Sequence, residues 1–286
     1  ESNQWPATAK ADSMPELPEV ETIRRGLEMR LIGRRFTSVR LPPDTGKAVP
    51  VIKGMEESAF RESVVGATVE AVSRRGKYLM LQLDNGLMLV VHLRMTGALL
   101  FQEAPEDRFV RVVFGFANGD EMRFTDMRKF GGFWLVDDIS QVTQALGPEP
   151  FSDDFSVRSL ADALAGRKTP VKSVILDQKH VAGIGNIYAD EACYAAGILP
   201  TRLALTVQDD EVAALHAAIR DVLQAGVDSG GASFKDYRNT TGNVGSMQKL
   251  VKVFRRTGKA CYACGTTIER VKVGGRSTHY CPGCQK

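Results

Sequence analysis

Four of the five cysteines fall in two Cys-x2-Cys pairs, Cys261/Cys264 and Cys281/Cys284, with sixteen residues between the pairs. Each pair forms a tight knuckle that aims two sulfurs inward. Four thiolates then complete a closed tetrahedral zinc site, and a closed site is structural. The pairing argues for metal in a reducing compartment over disulfides in an oxidising one. Between the pairs, Thr267 to Val273 and Arg276 to Tyr280 read as strands joined at Gly274-Gly275, a turn that needs positive φ. Arg276 is thereby displayed near the tip, where a guanidinium can reach a phosphate with two parallel hydrogen bonds. His279 is a spare ligand type that four cysteines leave unnecessary. Cys193, among alanines on a predicted helix, reads as a small core residue.

The remainder of the 286 residues is long enough for two further units. Composition is that of an ordinary globular chain, 43% hydrophobic and 7% aromatic. No run of roughly 18 apolar residues predicts a membrane span. Residues 1–13 lack the basic and apolar regions of a secretory signal, so residues 1–14 are expected to be a leader or an overextended start outside the fold. Net charge is +3, too small to indicate nucleic acid by itself. The distribution is more telling, because Arg24-Arg25, Arg34-Arg35, Arg74-Arg75-Gly76-Lys77, Arg128-Lys129 and Arg255-Arg256 recur along the chain. Such pairs suit phosphate tracking if folding gathers them on one face, and serve equally as solvated surface.

Periodicity divides the chain. Val20, Ile23, Leu27 and Leu31 mark one face of a helix that ends at Gly33. The period then becomes two, with strands at Thr37 to Leu41, Thr68 to Arg74, Tyr78 to Leu83, Leu87 to Leu93, Ala98 to Phe101, Val110 to Phe116, Glu121 to Asp126 and Phe133 to Val136. Asp84-Asn85-Gly86 and Asn118-Gly119 are hairpin turns. One helix and about eight strands predict an antiparallel sandwich. At Gly147-Pro148-Glu149-Pro150 composition shifts, and helices follow at Val157 to Ala165, Pro170 to Gln178, Asn186 to Ala196 and Val207 to Val227. Gly230 to Ser246 is rich in glycine, threonine and asparagine and reads as a loop. The expected division is therefore a leader 1–14, an N-terminal catalytic sandwich 15–147, a linker 148–155, a helical domain 156–255 with its loop near 230–246, and a zinc finger 256–286.

Three motifs carry chemistry ambiguously. Gly183-Ile184-Gly185-Asn186-Ile187-Tyr188 joins two predicted helices, and its glycines let amides point outward at a helix N-terminus that receives phosphate well. The same residues make a tight helix-helix turn. The motif is no P-loop and no dinucleotide fingerprint, so no nucleotide cofactor is expected. Arg128-Lys129-Phe130-Gly131-Gly132 places a large ring beside cations between strands, either as core or as a wedge filling a gap in a base stack. Met95, in His92-Leu93-Arg94-Met95-Thr96-Gly97, has the same two readings. Finally, Met14-Pro15-Glu16 opens the first helix. Proline followed by acids is an ordinary helix start, but if Met14 is an initiator that is removed, Pro15 becomes a free secondary amine able to form an iminium with a sugar carbon.

Taken together, Pro15-Glu16-Leu17-Pro18-Glu19-Val20-Glu21-Thr22, Arg75-Gly76-Lys77-Tyr78, His92 to Gly97, Asp126-Met127-Arg128-Lys129-Phe130-Gly131, Gly183 to Tyr188 and the Gly274-Gly275-Arg276 zinc ribbon resemble, in order, the bacterial formamidopyrimidine-DNA glycosylases. The resemblance runs from Pro15 to Lys286. It implies an α+β multidomain fold: an N-terminal helix with an eight-stranded antiparallel β-sandwich, then a helix-two-turn-helix domain and a zinc-ribbon finger holding one structural Zn2+.

The implied activity is base-excision repair, by removal of oxidised purines such as 8-oxoguanine and formamidopyrimidines. Strand cleavage by β,δ-elimination follows through a Schiff base. Pro15 matches the nucleophile, Glu16 the proton shuttle, and Lys77 a lysine near the lesion phosphate and catalytic centre. Lys172 matches a second lysine near the damaged nucleotide. Asn186 and Arg276 match phosphate clamps, and His92 falls in a DNA-binding motif. Met95, Arg128 and Phe130 match the side chains that fill the vacated stack and meet the orphaned cytosine.

An α-amino group with a reference pKa of about 7.7 to 8.0 is partly neutral near neutral pH, whereas a lysine needs a large downward shift to compete. The expected partner is double-stranded DNA with oxidised bases or abasic sites, met by a monomer in the bacterial cytoplasm at the nucleoid. One departure stands out: Gly245-Ser246-Met247-Gln248 lies where family members often carry a phenylalanine near the end of the lesion-recognition loop. The rival readings are an endonuclease VIII-like enzyme for oxidised pyrimidines and a non-catalytic zinc protein that binds damaged DNA. A chain retaining residues 1–14 is expected to bind DNA without forming the iminium.

Overall fold

A computed structural model describes residues 14–42, 50–101, 109–234 and 237–286. The expected leader, apart from Met14, lies outside the described residues. Helix α1 (Leu17–Leu31) buries Leu17, Val20, Ile23, Leu27 and Leu31. That face has the three-and-four spacing of the sequence, and Gly33 beyond it adopts φ +77°.

Strands β1 (Phe36–Arg40), β2 (Val69–Arg75), β3 (Tyr78–Leu83), β4 (Met88–His92), β5 (Gly97–Leu100), β6 (Val110–Phe116), β7 (Glu121–Asp126) and β8 (Gly132–Val136) form two four-stranded sheets. Their orders are β1-β6-β7-β5 and β2-β3-β4-β8, with every strand pair antiparallel. Phe36, Phe114, Phe124 and Phe133 fill the space between them, with Phe124 and Phe133 edge-to-face at 5.0 Å. Helix α2 (Glu57–Val64) was not foreseen. Its eight residues bury only Phe60 and Val64, too few apolar positions to establish a period.

A short α3 (Ser140–Thr143) precedes the helical unit of α4 (Val157–Leu164), α5 (Val171–Leu176), α6 (Asn186–Ala195) and α7 (Asp209–Asp228). Ser156 caps α4, accepting from Ser159 N. The expected linker is pinned at both ends. Glu149 pairs with Arg74 at 3.0 Å and Arg75 at 3.4 Å, while Phe155 is buried in the helical core. Leu17 belongs to that same core, whereas Val20, Ile23, Leu27 and Leu31 belong to the sandwich core. The first helix therefore joins the two units instead of capping one. At the C-terminus β9 (Glu269–Val273) pairs antiparallel with β10 (Arg276–Tyr280), and Gly274 and Gly275 take φ +54° and +76°. No described helix is long and apolar enough to cross a membrane.

Candidate functional site

A cleft of about 400 Å3 opens where the three units meet, lined by Met14, Glu16, Lys77, Met95, Ile184, Gly185, Asn186 and Arg276 among others. A wider hollow of about 800 Å3 lies on the sandwich between Arg30, Arg34, Phe101, Asp120, Glu121 and Arg123. Its charges are largely matched, as in the 2.7 Å Arg34–Asp120 pair. The smaller cleft is the one in which buried ionisable groups converge, and perturbed groups in a cleft mark chemistry better than size does.

Glu16 sits at the junction of α1 and α6. Its carboxylate accepts from Ile187 N at 2.9 Å and Tyr188 N at 3.4 Å, and so occupies the positive end of α6. The approach requires glycine at two positions. A Cβ on Gly185 would lie 2.3 Å from the Glu16 carboxyl carbon, and one on Gly183, at φ +88°, would lie 2.7 Å from Leu17. The tight-turn and anion-receiving readings of this motif thus coexist, the anion being Glu16 itself.

Burial raises the Glu16 pKa above the usual carboxylate range, although the nearby Lys77 charge and the α6 amides pull it down. Lys77, only 5% exposed, is shifted the opposite way. Burial lowers its pKa, Glu16 opposes the shift and Arg276 adds to it. Pro15, the residue before Glu16, is buried, and Met14 contributes to the cleft wall.

Glu19, one turn on, was read from sequence only as part of a helix start. It is 1% exposed, and its carboxylate accepts from Glu16 N at 2.9 Å, Tyr188 Oη at 2.8 Å and Ala232 N at 2.6 Å. Burial, reinforced by Glu16, raises its pKa to about 7. It therefore ties the start of the active helix to α6 and to the root of the 230–246 loop. Parts of that loop pack back, with Phe101 N donating to Thr240 O at 3.1 Å. Residues 235–236 lie outside the described residues. Gly245 lies tight against the backbone of Gly230 and Gly231, and Met247 is buried in the helical core.

Met95 and Phe130 approach from two loops of the sandwich that Asp126 fastens together. Its Oδ1 accepts from Thr96 Oγ1 and, at 3.1 Å, from Arg128 N, and its Oδ2 accepts from Gly131 N at 2.8 Å. Phe130 is 47% exposed, with the Arg128 guanidinium 5.0 Å from its ring centre. Of the two readings of this ring, core is thereby set aside, since Phe130 lies outside both apolar clusters.

Two residues expected to touch DNA, His92 and Lys172, are largely enclosed by protein. His92 is 5% exposed and its Nδ1 accepts from Arg94 N at 2.9 Å. Burial, with the charges of Arg94 and Lys77, holds its pKa well below the ordinary imidazole value. It is a neutral brace for the turn carrying Met95. Lys172 is 0% exposed, enclosed by Asp190, Asn186, Ser277 and Thr278, so it presents no surface to a phosphate. Asn186 is half-buried and Arg276 exposed, and both line the cleft.

The four paired cysteines place their sulfurs within 4.8 Å of one another, with Cys261 and Cys284 at 3.8 Å and Cys264 and Cys281 at 3.4 Å. A tetrahedron of Zn–S bonds of about 2.3 Å needs sulfurs roughly 3.8 Å apart, so the set fits one structural zinc. His279 turns its Nδ1 to Asp190 at 2.9 Å instead of to that cluster, and Cys193 lies in the helical core.

Residues 14–133, 146–238 and 258–286 match, respectively, the families described as formamidopyrimidine-DNA glycosylase N-terminal domain, formamidopyrimidine-DNA glycosylase H2TH domain, and zinc finger found in FPG and IleRS. The formamidopyrimidine-DNA glycosylase of Pelotomaculum thermopropionicum is 43% identical over 282 residues, covering 96% of this chain and 99% of that protein. A Lactococcus lactis FPG variant bound to DNA containing Fapy-dG superposes with a TM-score of 0.86 at 33% identity, covering 95% of this chain and 100% of the other. A MutM protein in complex with DNA containing carbocyclic 8-oxo-G gives 0.85, also at 33% identity and the same coverage.

Proposed function

Since this chain belongs to the formamidopyrimidine-DNA glycosylase family, we infer that its cleft excises oxidised purines from duplex DNA and then cleaves the strand as an abasic-site lyase. The supporting observation is the meeting of Glu16, Lys77, Asn186 and Arg276, drawn from all three units, on one cleft beside Pro15.

A base inside the duplex shields its sugar, so the nucleotide must be everted at a cost of a few kcal/mol. Phe130, Met95 and Arg128 offset that cost by filling the vacated stack, and Asn186 and Arg276 hold the backbone phosphates. With Met14 removed, the Pro15 amine attacks the sugar C1′, the base departs with a proton, and ring opening leaves an iminium between Pro15 and C1′. Glu16, with its raised pKa, carries protons for ring opening and for elimination. Lys77 lends positive charge beside the lesion phosphate. Zinc, held by Cys261, Cys264, Cys281 and Cys284, supplies the fold of the finger and takes no part in bond changes. Four thiolates of this kind suit a reducing compartment, and the place of action on this reading is the bacterial cytoplasm at the nucleoid.

Excision of 8-oxoguanine opposite cytosine, compared with excision of thymine glycol, tests the substrate class. The oxidised purine is released faster on this reading. Faster release of thymine glycol would move the chain to the pyrimidine-specific branch.

A further inference from the structure

We propose that the buried Lys172–Asp190 ion pair is a positioning device that sets the two phosphate clamps, Asn186 from the helical unit and Arg276 from the zinc finger, at their working separation. The proposal rests on the reading of those two residues as clamps.

Both partners of the pair are 0% exposed, 2.6 Å apart. A lysine ammonium has three hydrogens, and here they go to Asn186 Oδ1 at 2.7 Å, Thr278 Oγ1 at 2.7 Å and Ser277 O at 3.1 Å. Asp190 Oδ1 lies against the same ammonium as its ion-pair partner. The other oxygen, Oδ2, accepts from His279 N and Nδ1, both at 2.9 Å. Asn186 and Asp190 are four apart on α6 and share one face, so the ammonium is wedged between them.

Each clamp is reached directly. Asn186 has its Oδ1 fixed by Lys172 and its Nδ2 donating to Ser277 O at 2.9 Å. Arg276 has its carbonyl held by Thr278 Oγ1 at 3.2 Å, the same hydroxyl that accepts from Lys172. Stability alone gives little reason for such an arrangement, since a buried pair rarely outperforms apolar residues of the same volume. Fixed geometry between two separately folded pieces is what it supplies.

The sign of one substitution separates positioning from simple charge. Asp190→Asn removes a negative charge buried behind the two clamps, which by electrostatics alone tightens binding of a polyanion. Positioning predicts weakening, at least ten-fold, for a duplex carrying a non-cleavable tetrahydrofuran abasic analogue. The apolar pair variant Lys172→Met/Asp190→Leu, which leaves no orphaned charge, weakens binding similarly while retaining one zinc per chain. Arg276→Ala weakens binding in the wild-type background and adds less than two-fold in the pair variant. The slope of log affinity against log salt drops by about one in Arg276→Ala and in the pair variant alike, and no further when the two are combined, since each loses the same phosphate contact. Asp190→Asn binding as tightly as the wild type, or Arg276→Ala costing the same factor in both backgrounds, overturns the positioning role. Arg276→Ala without effect in the wild type removes the clamp reading, and the proposal with it.

Discussion

Burial raises the pKa of both Glu16 and Glu19, and for Glu19 the consequence is measurable in the folded protein. In the unfolded chain its carboxyl titrates near 4.5, and in the fold near 7. Between those values the folded state holds the extra proton, so this contribution to stability is complete below about pH 4.5 and is lost as pH rises through 7. Thermal unfolding of the wild type should therefore weaken from pH 5 to pH 8 more steeply than that of Glu19→Gln. Parallel curves for the two proteins would show that Glu19 does not titrate in this way. Phe130 gives a second prediction at this scale. Half-exposed and outside both cores, it contributes little to folding, so Phe130→Ala should leave the unfolding midpoint within a degree or two. Excision of 8-oxoguanine from a duplex should slow ten-fold or more, because the vacated stack is left unfilled. An unchanged excision rate would return Phe130 to an ordinary surface role.

Elements differ in how much of their placement sequence reveals. The sandwich strands follow a period of two and two glycine hairpins, and β3 and β6 fall where that pattern puts them. Helix α2 has no such signal, because two buried residues cannot display a period. The helix-turn motif at Gly183 to Tyr188 is legible as a turn, but that its amides receive Glu16 from a residue 171 positions earlier is a tertiary fact without local trace. Gly183→Ala tests that junction. A Cβ there meets Leu17 at 2.7 Å with φ at +88°, which costs about 1–3 kcal/mol. A lowered unfolding midpoint and a loss of excision should appear together, and a variant as stable as the wild type would contradict the close packing. The finger is the most legible element, since cysteine spacing alone dictates it. Its attachment is not. Tyr194 Oη at 3.3 Å from Cys261 Sγ and Glu191 accepting from the backbone of 252–254 make α6 the finger's support. Chelating zinc should unfold the finger and lower DNA affinity while the Pro15 amine stays intact. Undiminished binding after verified zinc loss would separate the finger from DNA recognition.

At the scale of the whole molecule, one helix belongs to two cores and one cleft draws on three units. Motif resemblance made the family and the fold class legible in the sequence, and Glu16, Lys77, Met95, Asn186 and Arg276, singled out from those motifs, line one cleft. That Lys172 is enclosed by α6 and the finger has no local trace in the sequence, because its partners are brought to it only by the fold. A cleft lined by Lys77, Asn186 and Arg276 should bind DNA with strong salt dependence, several counterions being released on association. An affinity that stays flat as salt rises would deny phosphate contact its central part.

On the proposed mechanism the chemistry turns on a single atom, the Pro15 nitrogen, which is an inert amide while Met14 precedes it. Borohydride trapping on an abasic-site duplex, with the adduct mapped by mass, tests this directly. Protein beginning at Pro15 should give one covalent adduct located at Pro15, and protein retaining Met14 should give none. An adduct at Lys77, or equal trapping with Met14 in place, would contradict the account.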